Sequence, residues 1–351
     1  MAGITIIGAG IMATALTVPM RDNGHDVRVV GTHLDRDVID SLQTTGRHPR
    51  LECPLPDGIE AFQLEDAEAA VEGSDVVMSG VNSFGVDWIG EQLARLLRPG
   101  QVVLSVTKGL VADDEGNLEI IPRVLQRAVG EELASSVGWA AITGPSIAGE
   151  VAVRHDTAVA FCGDNPDLLR QLARTLRTDY YHVWTTTDFV GAEVAAATKN
   201  IYAFAAGFGE GLARRQADGA AYGRLNMSAA LFAQGAVEMR RFFELLGGDP
   251  WLTAHLVGVG DMQVTSAGGR NVVAGTHVGS GVPFSRVRDE LMAGVTLEGV
   301  NAIRVIGGAI GRRVARGELD WGRFPLLGHL YDVVVDDAEL NIPWSRFFNE
   351  S

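Results

Sequence analysis

The sequence contains very little lysine. Among its 29 lysines and arginines, only Lys108 and Lys199 are lysines, although lysine is normally one of the commonest residue types. An ammonium can lose its proton when it is desolvated or crowded by another cation, whereas arginine stays charged. Compositional drift that spared two surface sites is one interpretation. The other is that both lysines take part in acid–base chemistry, and their neighbours must decide between the two.

Cysteine and long apolar runs are also scarce. Cys53 and Cys162 are the only cysteines, too few for a disulfide framework or a cysteine-based metal site, and this favours a reducing compartment. No charge-free apolar run reaches the ~18 residues of a membrane-spanning helix. No basic segment with a cleavage site precedes the first predicted strand. We therefore expect a cytoplasmic protein without membrane insertion and without a metal.

The chain has fewer basic than acidic residues, and its formal net charge is −15 at pH 7. This charge argues against nucleic acid or an anionic membrane as a partner. An anionic ligand would therefore need cations concentrated locally at its site. The 351 residues, 46% of them hydrophobic, can bury a large core, and the length predicts two domains.

Short apolar runs alternate with amphipathic stretches in the first half of the chain, a pattern typical of a parallel sheet covered by helices. The predicted strands are Ile4–Ile7, Asp26–Val30, Asp75–Ser79, Gln101–Val106, Trp139–Thr143, Thr157–Cys162 and Tyr181–Thr185. Helices are predicted between them, for example at Trp88–Leu97 and Ile120–Ala128. From about Asp188 the pattern becomes helical, at Phe189–Leu212, Ser228–Leu246, Val287–Ala293 and Leu297–Arg316, and the run Tyr331–Val335 fits a strand or a helix.

A glycine-rich turn follows the first strand. It reads Gly8-Ala9-Gly10-Ile11-Met12-Ala13 and opens a helix that runs toward Met20. In this GxGxxA pattern the first glycine permits a tight turn, the second lets the backbone approach a pyrophosphate, and the small third residue lets helix pack on strand. We therefore predict an α/β fold, with a Rossmann-type doubly wound dinucleotide-binding domain at 1–187 and an all-α domain at 188–351.

The end of the second predicted strand bears on the choice between NAD and NADP. NAD enzymes of this fold usually place an acid there to bind the ribose hydroxyls. Here Asp35 comes late, after Thr32 and His33 and before Arg36. Thr32, His33 and Arg36 could instead accept a 2′-phosphate, although they could also be ordinary loop residues. The sequence favours NADP over NAD.

The neighbours of each lysine favour chemistry over drift. Lys108 follows the carboxyl end of a predicted strand, the edge at which open α/β sheets bind ligands, and the next strand ends at Gly144, with Ser146 placed to cap a helix. Lys199 lies in a predicted helix that is apolar or small on every side apart from Glu193, Lys199 and Asn200. Burying an uncompensated ammonium costs several kcal/mol, so Lys199 needs a partner unless it extends to the surface.

A third polar cluster spans Gly258–Asn271. Arg270, Asn271 and Thr265 could together bind a phosphate ester, because they combine a charged fork with neutral donors. Asp261 could orient a lysine. As isolated residues they would equally form a capped, solvated loop.

Taken together, these segments resemble the NAD(P)-dependent glycerol-3-phosphate dehydrogenases from about Ile4 to Leu319. The matching motifs, in family order, are GAGIMATAL, SVTKGL, ITGPSIAGEVA, EVAAATKNIYAFAAG, VGDMQVTSAGGRN and LEG at Leu297–Gly299. The resemblance implies a Rossmann domain followed by an all-helical domain of the 6-phosphogluconate-dehydrogenase-like kind, usually as a homodimer. It also implies the NAD(P)-dependent interconversion of dihydroxyacetone phosphate and glycerol 3-phosphate.

The resemblance also implies roles for individual residues. Lys199 matches the proton donor and acceptor, with Lys108 and Asp261 as its catalytic partners. The substrate-binding candidates are Lys108, Gly144, Ser146, Asn200, Asp261, Thr265, Arg270 and Asn271. The cofactor-binding candidates are Gly8, Gly10, Ile11, Met12, Thr32, His33, Lys108, Ala148, Arg270 and Glu298. Two departures are Gly269, where many members have serine, and Ile11-Met12, where relatives often carry an aromatic residue.

Two other functions stay open at this point. A sister dehydrogenase of the same fold would act on another phosphorylated or phosphonylated carbonyl compound, or on a hydroxy acid. A non-catalytic nucleotide-binding protein would need neither lysine, yet both are present. A panel of substrates distinguishes these alternatives.

Overall fold

A computed structural model describes residues 1–216 and 224–348 of the chain. It forms two compact units, of which the first comprises Met1–Lys108 and Ile121–Phe189 and the second Gly109–Ile120 and Val190–Ser351. The expected division at 187/188 had assigned the segment 109–120 to the first domain. This segment belongs to the second unit because Arg312 and Arg316 donate hydrogen bonds to its backbone carbonyls, at 3.0 and 2.6 Å.

The first unit is built around an eight-stranded sheet. In chain order the ten strands are β1 Gly3–Ile7, β2 Asp26–Val30, β3 Ile59–Phe62, β4 Val76–Ser79, β5 Val102–Ser105, β6 Leu110–Ala112, β7 Leu118–Ile120, β8 Gly138–Thr143, β9 Thr157–Cys162 and β10 Tyr181–Thr186. The large sheet has the order β10-β9-β8-β5-β4-β1-β2-β3, while β6 and β7 form a separate antiparallel pair in the second unit. The order β3-β2-β1-β4-β5 is that of a doubly wound dinucleotide-binding sheet, which confirms the predicted fold class.

One strand pair runs against the expected direction. All neighbouring strands of the large sheet are parallel except β8 and β9, which are antiparallel, with Ala141 opposite Cys162. Strands β9 and β10 therefore run opposite to the other six. The sequence pattern predicts a parallel sheet, and the β8–β9 pair is the one exception to it in the large sheet.

Helices of the first unit flank these strands. They are α1 Ile11–Ala15, α2 Thr17–Asp22, α3 Arg36–Thr45, α4 Ala67–Val71, α5 Val86–Leu96, α6 Ile121–Val129, α7 Glu131–Ser136, α8 Ala148–Ala152 and α9 Pro166–Leu176. The helix expected to run unbroken from the glycine-rich turn to Met20 is interrupted at Leu16. Pro19 explains the break, since it has no N–H to donate to the Ala15 carbonyl one turn earlier.

Outside the hairpin, the second unit is helical. Its helices are α10 Phe189–Ala206, α11 Phe208–Gln216, α12 Leu225–Leu246, α13 Asp261–Ser266, α14 Arg270–Gly279, α15 Phe284–Arg286, α16 Glu298–Ala315 and α17 Pro325–Val335, with π-helical turns at Leu256–Gly260 and Val287–Leu291. The ambiguous run Tyr331–Val335 is therefore helical, and the predicted helix Phe189–Leu212 is two helices that meet at Gly207. Among the described residues, every helix is too short or too polar to cross a membrane.

A buried carboxylate accepts hydrogen bonds from the first turn of helix α17. Glu238 of α12 is 0% exposed, and its oxygens accept hydrogen bonds from the backbone N–H groups of Leu326 and Leu327 at 2.6 and 2.9 Å and from the Gln234 amide at 2.9 Å. These bonds satisfy N–H groups that a helix leaves unpaired at its start. Burial nevertheless raises the pKa of Glu238 to about 7.

Glu238 makes the stability of the protein depend on pH. The pKa of its carboxyl is about 7 in the folded state, against an ordinary value of 4.5, so folding takes up a proton between these two pH values. We expect this group alone to lower the free energy of unfolding by about 3 kcal/mol as pH rises through that window. Urea denaturation of the wild type and of Glu238→Gln at about pH 5 and about pH 8 measures this loss of unfolding free energy. If wild type and Glu238→Gln differ in their free energy of unfolding by the same amount at both pH values, the prediction is contradicted.

Candidate functional site

The glycine-rich turn leaves room for a ligand at its second glycine. Gly8 has φ +111°, and a Cβ there would approach the Gly80 backbone to 2.9 Å, so the fold itself requires this glycine. At Gly10 a Cβ would meet only the Gly80 carbonyl, at an ordinary 3.6 Å. Packing within the protein therefore does not require Gly10, whereas close approach of a pyrophosphate does. The turn fits a dinucleotide.

The loop after β2 is organised by Asp35. One oxygen of its carboxylate accepts hydrogen bonds from the Thr32 N–H at 2.9 Å, the Thr32 hydroxyl at 2.8 Å and the Ala9 N–H at 3.2 Å. His33 is exposed, with its ring edge-on to Trp88 at 5.9 Å between centroids. Arg36, also exposed, pairs with Glu65. One oxygen of the carboxylate that a ribose would need is thus engaged by the loop and by Ala9 of the glycine-rich turn.

Lys108 and the residues that follow β8 lie together in the first unit. The Lys108 ammonium donates to the Gly144 carbonyl at 3.3 Å, and the Ser146 hydroxyl contacts the Met12 sulfur at 3.7 Å. Ser146 was expected to cap a helix, and this was wrong. The residue that precedes α8 is Ile147, and no side chain caps that helix. The structure therefore brings Ser146 to the glycine-rich turn instead.

The second unit contains a buried ion pair. Lys199 of α10 donates to a carboxylate oxygen of Asp261, the first residue of α13. Lys199 is 7% and Asp261 1% exposed, so the lysine does not extend to the surface. The position of Asp261 in the first turn of a helix favours its negative charge. Two charges buried together persist only when they are paired and hydrogen-bonded, which places an ammonium at a fixed point in the interior.

Asn271 joins three segments near the start of α14. Its side-chain oxygen accepts from the Gly299 N–H at 3.0 Å, and its amide donates to the Asn200 side chain at 3.2 Å. Asn200 directly follows Lys199, and Glu298 directly precedes Gly299. The structure therefore gathers residues from α10, α14 and α16 that are far apart in sequence.

Arg270 and Thr265 flank this cluster. Arg270 is exposed at the first position of α14, immediately after Gly269, whose φ is +96°. That backbone conformation favours glycine over the serine of many relatives. The Thr265 hydroxyl donates to the Asp261 carbonyl at 2.7 Å. An exposed guanidinium can bind an anion from solvent, whereas the contact of Thr265 with a substrate stays a prediction.

The predicted site residues thus form two groups. The first unit holds Gly8, Gly10, Ile11, Met12, Thr32, His33, Lys108, Gly144, Ser146 and Ala148, and the second holds Lys199, Asn200, Asp261, Thr265, Arg270, Asn271 and Glu298. Sequence reasoning missed two features at the turn: the structural role of Asp35 and the buried His48, which both bond to Ala9. Neither residue gave a signal in the sequence, because each lies in a loop.

Comparisons with known proteins identify the family of the chain. The family models for the N-terminus and the C-terminus of NAD-dependent glycerol-3-phosphate dehydrogenase match residues 3–168 and 188–342. The NADP(+)-dependent glycerol-3-phosphate dehydrogenase of Archaeoglobus fulgidus is 34% identical over 291 residues, 82% of this chain and 83% of the relative. An Exiguobacterium glycerol-3-phosphate dehydrogenase [NAD(P)+] is 32% identical over 306 residues, 86% of this chain and 84% of the relative.

A solved structure extends the likeness to three dimensions. The glycerol-3-phosphate dehydrogenase of Coxiella burnetii superposes with a TM-score of 0.79 at 26% identity, covering 98% of this chain and 97% of that one. Sequence and structural likeness therefore span both units.

Proposed function

This chain belongs to the NAD-dependent glycerol-3-phosphate dehydrogenase family and is an NAD(P)-dependent oxidoreductase, and we propose that its Lys199–Asp261 pair supplies the proton when dihydroxyacetone phosphate is reduced to glycerol 3-phosphate. The observation that carries the proposal is the buried ion pair itself. A lysine held in the interior by a carboxylate is an acid at a defined position, which general acid catalysis requires.

The reaction divides between the cofactor and the protein. A nicotinamide cofactor held at the glycine-rich turn would supply the hydride for the C2 carbonyl carbon of the substrate. Lys199 donates a proton to the oxygen as it becomes an alkoxide, so Lys199 must be protonated for reduction and neutral for oxidation. Asp261 holds the ammonium in place.

Other side chains bind the ends of the substrate. Arg270, exposed at the start of α14, and Asn271 would bind the phosphate, because a guanidinium and a neutral amide both donate to phosphate oxygens. Asn271 is held in one orientation by the Gly299 N–H, which fixes the direction in which its amide donates. Lys108 would add positive potential toward the substrate oxygen and contact the cofactor.

We propose NADP as the preferred cofactor. One oxygen of the Asp35 carboxylate already accepts from Thr32 and Ala9, which leaves this late acid less free to bind ribose hydroxyls than an acid at the end of β2 would be. The exposed His33 imidazole and the exposed Arg36 guanidinium, which pairs with Glu65 at the surface, would bind a 2′-phosphate. The name of the Archaeoglobus relative supports the same preference.

Initial rates of NADPH and NADH oxidation with dihydroxyacetone phosphate test the activity and the cofactor together. We expect substrate-dependent oxidation that is faster with NADPH, because only NADPH carries the phosphate that the loop would bind. Equal rates with both cofactors would contradict the preference. Oxidation with another phosphorylated or phosphonylated carbonyl compound in place of dihydroxyacetone phosphate would identify a sister dehydrogenase.

We propose a cytoplasmic homodimer that serves glycerophospholipid and carbohydrate metabolism, on the strength of the family resemblance. The net charge of −15 supports the absence of a nucleic-acid partner.

A further inference from the structure

His48 is buried directly behind the glycine-rich turn. It follows α3 in the Gly46–Arg50 segment and is 1% exposed. Its Nδ1 accepts a hydrogen bond from the Arg50 N–H at 3.1 Å, and its Nε2 lies 3.1 Å from the Ala9 carbonyl oxygen. Because Nδ1 accepts, Nε2 must carry the hydrogen of the neutral ring and donate it to Ala9.

The neutral form of this histidine suits its surroundings. Burial lowers the pKa of His48, and the nearby Arg50 lowers it further, while the Ala9 carbonyl and Asp35 act in the opposite direction. A neutral imidazole has one donor and one acceptor, and both are used.

Both backbone groups of Ala9 are therefore hydrogen-bonded to side chains. Its N–H donates to the Asp35 carboxylate at 3.2 Å, its carbonyl accepts from His48, and the residue is 0% exposed. The Ala9 carbonyl belongs to the same peptide plane as the Gly10 N–H. In a trans peptide these two groups point in opposite directions, so a carbonyl directed inward at His48 directs the Gly10 N–H away from it.

We propose that His48 is a positioning residue for the cofactor, which fixes the Ala9–Gly10 peptide so that the Gly10 N–H faces the side from which a pyrophosphate approaches. The proposal rests on the proposed binding of NAD(P)H at this turn. Gly10 is the glycine that packing within the protein does not require, so the orientation of its N–H matters to a ligand. His48 itself touches neither cofactor nor substrate in this proposal.

Two amide replacements, each of which reproduces one ring nitrogen, separate the Ala9 contact from the Arg50 contact. In His48→Gln the side-chain amide can still donate to the Ala9 carbonyl, whereas in His48→Asn the amide oxygen can accept from Arg50 but its donor does not reach Ala9. If the Ala9 contact orients the turn, Gln preserves cofactor affinity and Asn weakens it by about three- to tenfold, the effect of one hydrogen bond.

The measurements are NADPH dissociation constants, from fluorescence titration, and KM for dihydroxyacetone phosphate. We expect the weaker NADPH binding of His48→Asn to appear with an unchanged KM for the substrate. Amide hydrogen exchange of residues 8–13 without cofactor gives a second readout, faster in the Asn variant and unchanged in the Gln variant. Titration of the wild type separates the two proposals, since absent NADPH and NADH binding there would refute the proposed function instead.

His25 is a matched control. It is also buried, at 8% exposure, and also bridges two backbone groups, the Ala2 N–H at 3.2 Å and the Thr175 carbonyl at 2.7 Å, away from the turn. His25→Asn should change the melting temperature and leave the NADPH dissociation constant unchanged. The proposal is overturned if His48→Gln binds NADPH no better than His48→Asn, or if His25→Asn weakens NADPH binding as much.

Discussion

Replacing Lys199 by alanine lowers the kcat for dihydroxyacetone phosphate reduction by about 10²–10⁴-fold, the usual contribution of a general acid. The ammonium of Lys199 is the proton source in this account, and alanine leaves none at that point. The affinity for NADPH should change little, because Lys199 is not among the residues proposed to bind the cofactor. Steady-state kinetics and NADPH titration of the same preparation measure both quantities.

Lys199→Arg is the control that separates charge from proton transfer. The guanidinium can still pair with Asp261, so the variant keeps the buried ion pair, but it stays protonated at any working pH. We expect a loss of activity as large as that of the alanine variant, in a protein that melts close to the wild type. An arginine variant with nearly normal turnover would show that only the positive charge is needed.

The second large effect concerns the stability of the Lys199–Asp261 pair. Removing one partner breaks the ion pair and leaves the other charge buried, so Asp261→Asn and Lys199→Met should each lower the free energy of unfolding by roughly 3–5 kcal/mol. The double variant removes both charges of the pair and should recover most of that loss. Urea denaturation of the four proteins gives the coupling energy of the pair.

If the double variant loses as much unfolding free energy as the two single variants together, Lys199 and Asp261 do not stabilise each other, which would contradict the prediction. The double variant also tests the chemistry, because it should be folded and stable yet inactive. Activity in that variant would remove the pair from the mechanism.

Local patterns explain why much of this fold could be predicted from sequence. Strands β1 and β2 and the turn between β1 and α1 follow from apolar runs and glycine spacing over some 30 residues. The pairing of a lysine with Asp261 could also be predicted, because a lysine in a helix without a polar face needs a counter-ion. Both signals lie in residue type and short spacing.

The features that sequence reasoning missed depend on contacts over long range. The reversed direction of β9, the assignment of 109–120 to the second unit and the partly exposed strand β3 are set by packing partners far away in the chain. Asp35 and His48 look like loop residues until the fold brings both to Ala9, 26 and 39 residues earlier in the sequence. No local pattern marks that convergence.

The most direct test of the central claim is chemical rescue of Lys199→Ala. Ethylamine can occupy the space of the missing side chain and supply an ammonium proton, whereas tetramethylammonium carries the same charge without a proton. We predict that the rate of NADPH oxidation with dihydroxyacetone phosphate rises with the concentration of ethylammonium and not with that of tetramethylammonium. Near-normal turnover of Lys199→Ala at every pH without added amine, or equal stimulation by both cations, would contradict the role of Lys199 as the proton donor.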